Sequence, residues 1–300
     1  MGDKDLGCKA LLSINEVFCD VFNVLSFDGR RLIDPESLMP ASEESQYRAG
    51  GKYRYQRRDV SKIWNKCGVR LALFGIENEN KASIEMPLRM ISYDGGEYRR
   101  QLKDEAETFY PVISMVLNFN TERRWDKPKN LKGVLKIPEG LESLVNDYKI
   151  NVVDVAFLDR EVIEKFESDF YVVADYFWKL RNLKEYEPSD RTIKHVQEVM
   201  QMMSAMTGDN RFEIGYNEWK DRGGEVRMDR FLDQAEARGW DNGNKAGVEA
   251  GTEAGIKNLV ETCSEFGIGS EDIKEKLMLK YSLPQDEAQR KVDMYTPKVA

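Results

Sequence analysis

The chain alternates between short apolar runs and longer helical stripes. Leu11, Leu12, Val17, Phe18, Val21, Phe22 and Leu25 recur at three-to-four spacing and predict a helix over 11–25. Phe27-Asp28-Gly29-Arg30 reads as a turn, Arg31–Ile33 as the start of a short strand, and Pro35–Gly51 as a polar loop. Asp59–Trp64 and Val69–Asn78 then predict a hairpin turning at Lys66-Cys67-Gly68. Its second arm is apolar on both faces, as an interior strand would be. Pro87 suits the first turn of a helix running toward Phe109, with Gly95-Gly96 as a candidate break. Tyr110–Phe119 and Ile150–Leu158 read as two further buried strands.

Beyond Asp159 the period becomes helical, over Glu161–Phe170, Val172–Arg181 and Arg191–Met206. The methionine-rich stripe of the last segment reads as packing. From about Glu225 a tail begins in which Gly239, Gly243, Gly247, Gly251 and Gly255 recur every fourth residue. That spacing suits either a semi-flexible spacer or a seam along which a second helix approaches closely, giving a homo-oligomer. Helices over Lys257–Phe266, Ser270–Tyr281 and Pro284–Tyr295 complete the chain. The fold class expected is α/β: a mixed central sheet flanked by helices, followed by an all-α C-terminal region. The expected divisions are an α/β core over 1–160, a helical extension packed on it over 161–224, and a helical tail over 225–300.

Three hundred residues, 41% hydrophobic and 33% charged, describe a charge-rich globular chain. No apolar run approaches the ~20 residues of a membrane span. Met1–Leu12 holds no apolar signal core, so the expected location is cytoplasmic, away from membranes. One histidine, His195, and four cysteines without a C-x-x-C pair argue against histidine-rich or all-cysteine zinc sites and a disulfide framework. His195 reads as structural or surface. Nucleotide-binding glycine loops are missing as well. If the chain is an enzyme, carboxylates and lysines must do the chemistry, with or without a metal.

The net charge of -8 would ordinarily disfavour nucleic acid, but the charges are not spread evenly. Between Arg48 and Arg70 stand Arg48, Lys52, Arg54, Arg57, Arg58, Lys62, Lys66 and Arg70 against one acid, Asp59. A second basic run spans Glu122–Lys136. A carboxylate among cations is well placed to hold a metal beside phosphates. On an extended strand Glu77, Glu79 and Lys81 share a face, and Asp59 on the neighbouring arm would converge on Glu77. Two converging carboxylates repel unless a cation neutralises them, and a hard divalent ion is the natural occupant.

This arrangement resembles the PD-(D/E)XK nuclease superfamily and, within it, the Rpn family of recombination-promoting nucleases and putative transposases. The resemblance rests on Arg58-Asp59-Val60, Gly75-Ile76-Glu77-Asn78-Glu79, Met86-Pro87-Leu88-Arg89 and Tyr93-Asp94-Gly95. It continues through Glu122–Lys129, Asn146–Asn151, Ser168-Asp169-Phe170, Ala174–Phe177 and Leu232–Gly239. It implies a restriction-endonuclease-like core and a DNA endonuclease dependent on Mg²⁺ or Mn²⁺, of a kind associated with mobile elements. Carried over, Asp59 and Glu77 are metal ligands, and Arg57, Arg58 and Arg89 hold DNA phosphates. The third motif position is Glu79, where the superfamily usually has lysine and this branch glutamine. Lys81 would have to reach back ~6.6 Å along the strand to substitute. Alternatively, Glu79-Asn80-Lys81 is itself the E-x-K motif shifted by two residues. Glu16 is a lesser candidate for an additional ligand. The alternative function is a catalytically impaired nuclease fold that binds DNA or a partner chain.

Overall fold

The computed structural model describes residues 9–41, 59–104, 108–183, 189–223, 226–228 and 251–296, with 44–49 and 52–57 described through their backbone. The chain divides into two compact units, Met1–Ala235 and Glu236–Ala300.

The first unit is built on a five-stranded mixed sheet. Its strands are β1 (Leu38–Pro40), β4 (Val60–Lys66), β5 (Val69–Glu79), β6 (Val112–Asn118) and β7 (Asn151–Asp154), in the order β1-β4-β5-β6-β7. β4 and β5 are antiparallel, whereas β5, β6 and β7 run parallel. The hairpin turns at Cys67-Gly68, both left-handed at φ 53° and 83°. Two positive φ angles in a two-residue loop match the twist of the flanking strands, which explains the glycine. Helix α2 (Met86–Lys103) makes the crossover from β5 to β6 that a parallel pair requires.

Each face of the sheet packs a different layer. Ala72, Phe74 and Ile76 of β5 join the main core with α1 (Asn15–Phe27), α3 (Phe170–Asn182), α4 (Val196–Thr207) and Phe212 of α5 (Arg211–Arg222). Phe22 meets Phe74 there at a ring separation of 4.6 Å, and each such buried ring contributes about 2–3 kcal/mol. On the opposite face Val116 of β6 packs with Met86, Met90 and Tyr93 of α2, Trp125 and Ile150. The helices after residue 160 therefore share the core of the sheet.

Several expectations are corrected. Pro35–Gly51 is not one loop: it holds a 3-10 turn (Pro35–Ser37), β1, and β2 (Glu44–Ala49), which pairs with β3 (Lys52–Arg57) as a separate two-stranded sheet. Arg31–Ile33 forms no strand, because Asn23 Oδ1 accepts the N–H groups of Leu32 and Ile33 instead. α2 runs unbroken through Gly95-Gly96. Glu161–Phe170 contains only the single turn Arg160–Ile163. Thr192–Ile193 is a short strand, β8, paired with β9 (Val226–Arg227), and α4 begins only after it. α5 was not predicted from the sequence.

Among the described residues, the second unit packs three helices, α6 (251–265), α7 (Ser270–Tyr281) and α8 (Gln285–Tyr295), around Ile256, Val260, Ile273, Leu277, Ala288 and Val292. Gly239, Gly243 and Gly247 lie outside the described residues. Gly255 accommodates Tyr281 of the same chain: a Cβ there would stand 2.6 Å from its hydroxyl. Among the described residues, no helix is long and apolar enough to cross a membrane.

Candidate functional site

The site forms where β4 and β5 stop pairing. The ladder between them starts at Val60–Ile76, leaving the last residues of β5 beyond it. The Asn78 N–H donates to Asp59 Oδ2 at 2.9 Å, and the Asp59 N–H donates to Glu77 Oε1 at 3.2 Å. Each acid is thus oriented by the segment that carries the other. The Asn78 side-chain amide adds a longer bond to Asp59 Oδ2, at 3.4 Å. Asp59 and Glu77 lie together on the face that α2 covers, since Val60 and Ile76 point into the opposite core. Lys9 approaches Asp59 Oδ1 at 3.7 Å from the segment before α1.

Arg89 of α2 spans the next gap. Its Nη2 donates to Glu77 Oε2 at 3.0 Å and its Nη1 to Glu79 Oε1 at 2.6 Å. Side chains at 77 and 79 point the same way on an extended strand, so a planar guanidinium can bridge both. The acids differ in setting: the Glu77 side chain is 3% exposed and that of Glu79 19%. Burial raises the Glu79 carboxyl above its ordinary range, Arg89 opposes that rise, and Asp59 adds to it. Arg89 is held in its charged form by Glu77 and Glu79 against the cost of burial. The Tyr93 hydroxyl, one turn along α2, is pushed up by burial and by Glu77.

The remaining candidates are scattered. Lys81 is exposed in a bend past the end of β5, so the alternation that would align it with Glu77 and Glu79 stops short of it. Arg57 ends β3, described through its backbone, and Arg58 lies outside the described residues. Glu16 pairs with Lys194 at 3.2 Å. His195 stands at the N-terminal end of α4 with its ring Nδ1 2.9 Å from Asp169 Oδ2, and Asp169 also accepts the His195 N–H at 2.7 Å, a structural contact. Lys62 turns inward to the Ser13 carbonyl and Asn15 Oδ1, at 2.7 and 2.5 Å, so this cation of the first basic run serves the scaffold.

Three neighbours were not anticipated: Lys9, Asn78 and Tyr93. Asn78 and Tyr93 stand in segments that carry the family resemblance, and Tyr93 follows Arg89 by four residues on one helix face, whereas Lys9 left no signal. The rim is tied by amides. Asn80 Nδ2 donates to the Met206 carbonyl at 2.8 Å, and Asn120 Nδ2 to the Asn80 carbonyl at 3.3 Å.

Asp59 and Glu77 present hard oxygen donors, the chemistry that Mg²⁺ or Mn²⁺ accepts. Among the described residues, no three His, Cys, Asp or Glu side chains gather in a metal-holding cluster. Two carboxylates still fit an ion that keeps several waters. Both Glu77 oxygens already have partners, Arg89 on Oε2 and the Asp59 N–H on Oε1.

Residues 72–205 match the family described as "Putative transposase, YhgA-like". The matched region holds Glu77, Glu79, Lys81 and Arg89, whereas Asp59 precedes it. No curated protein and no solved structure matches the chain.

Proposed function

We propose, from a chain whose residues 72–205 match the YhgA-like transposase family, that this protein is a metal-dependent DNA endonuclease. The observation that carries the reading is the reciprocal clasp of Asp59 and Glu77, from the two arms of one hairpin. Asp59 and Glu77 would hold one Mg²⁺ or Mn²⁺. When bound, that ion supplies Lewis acidity, lowering the pKa of a bound water and offsetting charge on the scissile phosphate.

The chain's own groups do the positioning. The main-chain N–H of Asn78 fixes one oxygen of Asp59, and that of Asp59 fixes one oxygen of Glu77, so both acids are oriented before any substrate arrives. Arg89 neutralises the buried Glu77 and, on releasing it, offers its fork to a phosphate oxygen. Arg57 and Arg58, from the preceding basic run, supply flanking phosphate contacts. Glu79 occupies the position of the motif lysine and is itself paired with Arg89. The cation facing that position thus comes from α2 instead of β5.

A second reading, a nuclease fold that binds DNA or a partner without cutting, is favoured by Arg89 engaging both acids at once. Nicking of supercoiled plasmid with Mg²⁺, Mn²⁺ or EDTA, beside Asp59→Asn and Glu77→Gln, separates the two. The endonuclease reading expects metal-dependent nicking that both substitutions abolish. Salt-sensitive binding without nicking would leave the second reading, and equal nicking by all three proteins would refute the assignment to this site.

A further inference from the structure

Most described arginines of the first unit that carry a charge contact, such as Arg31, Arg89, Arg160 and Arg211, lie against carboxylates. Arg124 and Arg181 do not. Both are exposed, and both gather around the ring of Phe157, with guanidinium carbons 4.9 and 4.0 Å from its centroid. The two charges therefore lie within about 9 Å of each other, the sum of those reaches. Their hydrogen bonds go to neutral oxygens: Arg124 to the Phe157 carbonyl at 3.4 Å, Arg181 to Asn182 Oδ1 at 2.8 Å. Among the described residues, neither meets an acid.

Two exposed like charges within this reach repel weakly at physiological salt, and both are favoured by an anion that contacts them together. The pair is also pre-positioned. Next to Arg124, the Trp125 N–H donates to Asp154 Oδ1 at 2.8 Å, which pins the loop to the end of β7. Arg181 stands in the last turn of α3, whose dipole favours a cation there. Guanidinium forks suit phosphate oxygens.

The location links the pair to the acids. Glu79 is in register with Asn118 of β6, and Asn118 with Asp154 of β7. Two strand spacings, ~10 Å, separate Glu79 from Asp154, and Phe157 follows three residues later. Glu79 and Phe157 thus lie at the same C-terminal edge of the parallel strands, the acids on the α2 side and Phe157 against the main core, an edge at which open α/β sheets bind their ligands.

We infer that Arg124 and Arg181, gathered about Phe157, form a second phosphate site that holds the backbone of duplex DNA at the sheet edge where the acidic strand ends. The identity of the ligand rests on the endonuclease reading; the anion site rests on the arginine geometry.

The test is fluorescence anisotropy of a labelled 20-base-pair duplex with the full chain in EDTA, over a series of NaCl concentrations. Binding without metal keeps the readout independent of cleavage. Arg124→Gln/Arg181→Gln should lower the slope of log K against log[salt] by about 1–2 and weaken binding about tenfold near 0.1 M salt. Arg124→Lys/Arg181→Lys, which keeps both charges, should retain most of the slope. Arg290→Gln, in the second unit, should change neither. Should the double glutamine variant fail to fold, the two single variants carry the test, each losing about 0.9 of slope. An unchanged slope in the glutamine variants overturns the inference while leaving the endonuclease reading intact. Failure of the wild-type chain to bind the duplex at low salt overturns both.

Discussion

Replacing Arg89 by alanine should destabilise the first unit in a way that depends on pH and is relieved by metal. The substitution removes the 3.0 and 2.6 Å contacts to Glu77 and Glu79 and leaves the nearly enclosed Glu77 without its arginine. Removing one partner of a buried pair costs about 3–5 kcal/mol. Because the Arg89 side chain is 36% exposed, solvent screening reduces that to about 2–3 kcal/mol, equivalent to a fall in Tm of about 5–10 °C for a unit of this size. The sign of the pH effect follows from Glu79. Its folded carboxyl already sits above the ordinary value of 4.5 through burial, with Arg89 opposing the rise, so alanine should raise it further. A raised carboxyl favours the folded state below its unfolded pKa, and that advantage is lost as pH rises through the folded value. The deficit of the variant should therefore be largest near pH 8 and shrink toward pH 5. Millimolar Mn²⁺ should offset most of the loss, by about 2.7 kcal/mol at a hundredfold excess over Kd, and should stabilise the variant more than the wild type. Thermal unfolding of both proteins at pH 5 and 8, with Mn²⁺ and with EDTA, measures all three effects. A deficit below 0.5 kcal/mol, or one equal at both pH values, would refute the reasoning.

Other consequences can be checked alongside. Asp175 is fully buried and pairs with Arg160 and with Lys179, the latter at 3.0 Å; Asp175→Ala should cost about 3 kcal/mol, read as a lowered Tm. In the second unit, Gly255→Leu should loosen the packing against Tyr281, whereas Gly251→Ala, with open space around its Cβ, should be neutral or stabilising by up to about 1 kcal/mol; helix content followed by circular dichroism on heating separates the two. The buried Cys19 thiol is pushed up to about 11 by burial and by Asp20, so it should stay unlabelled by a thiol reagent at pH 8 while the exposed Cys67 reacts. Mass spectrometry of the labelled peptides gives the answer, and rapid modification of Cys19 would contradict its burial.

The hairpin that carries the acids was readable because its signals are local. An apolar run from Val69 to Ile76 fixes a buried strand, Cys67-Gly68 closes the turn, and side-chain alternation then puts Glu77 and Glu79 on one face. β2 and β3 were not readable in the same way, since Pro40 and Gly50-Gly51 punctuate polar residues whose pairing is with each other and not with the main sheet. α5 was missed for a related reason: Phe212 enters the core, but polar neighbours dilute its helical stripe. The site divides along the same line. Strand parity groups Glu77 with Glu79, but the meeting of Arg89 with both depends on how α2 docks after the bends at 80–85, which no local pattern encodes.

The amide of Asn80 lands on the carbonyl of Met206, 126 residues downstream. The bend that ends the acidic strand is therefore stapled by the final turn of a distant helix. Trimming the protein back to its sheet would keep Asp59, Glu77 and Glu79 and discard the staple. A minimal domain for expression should consequently extend past α4, even though the sheet itself is finished at Asp154.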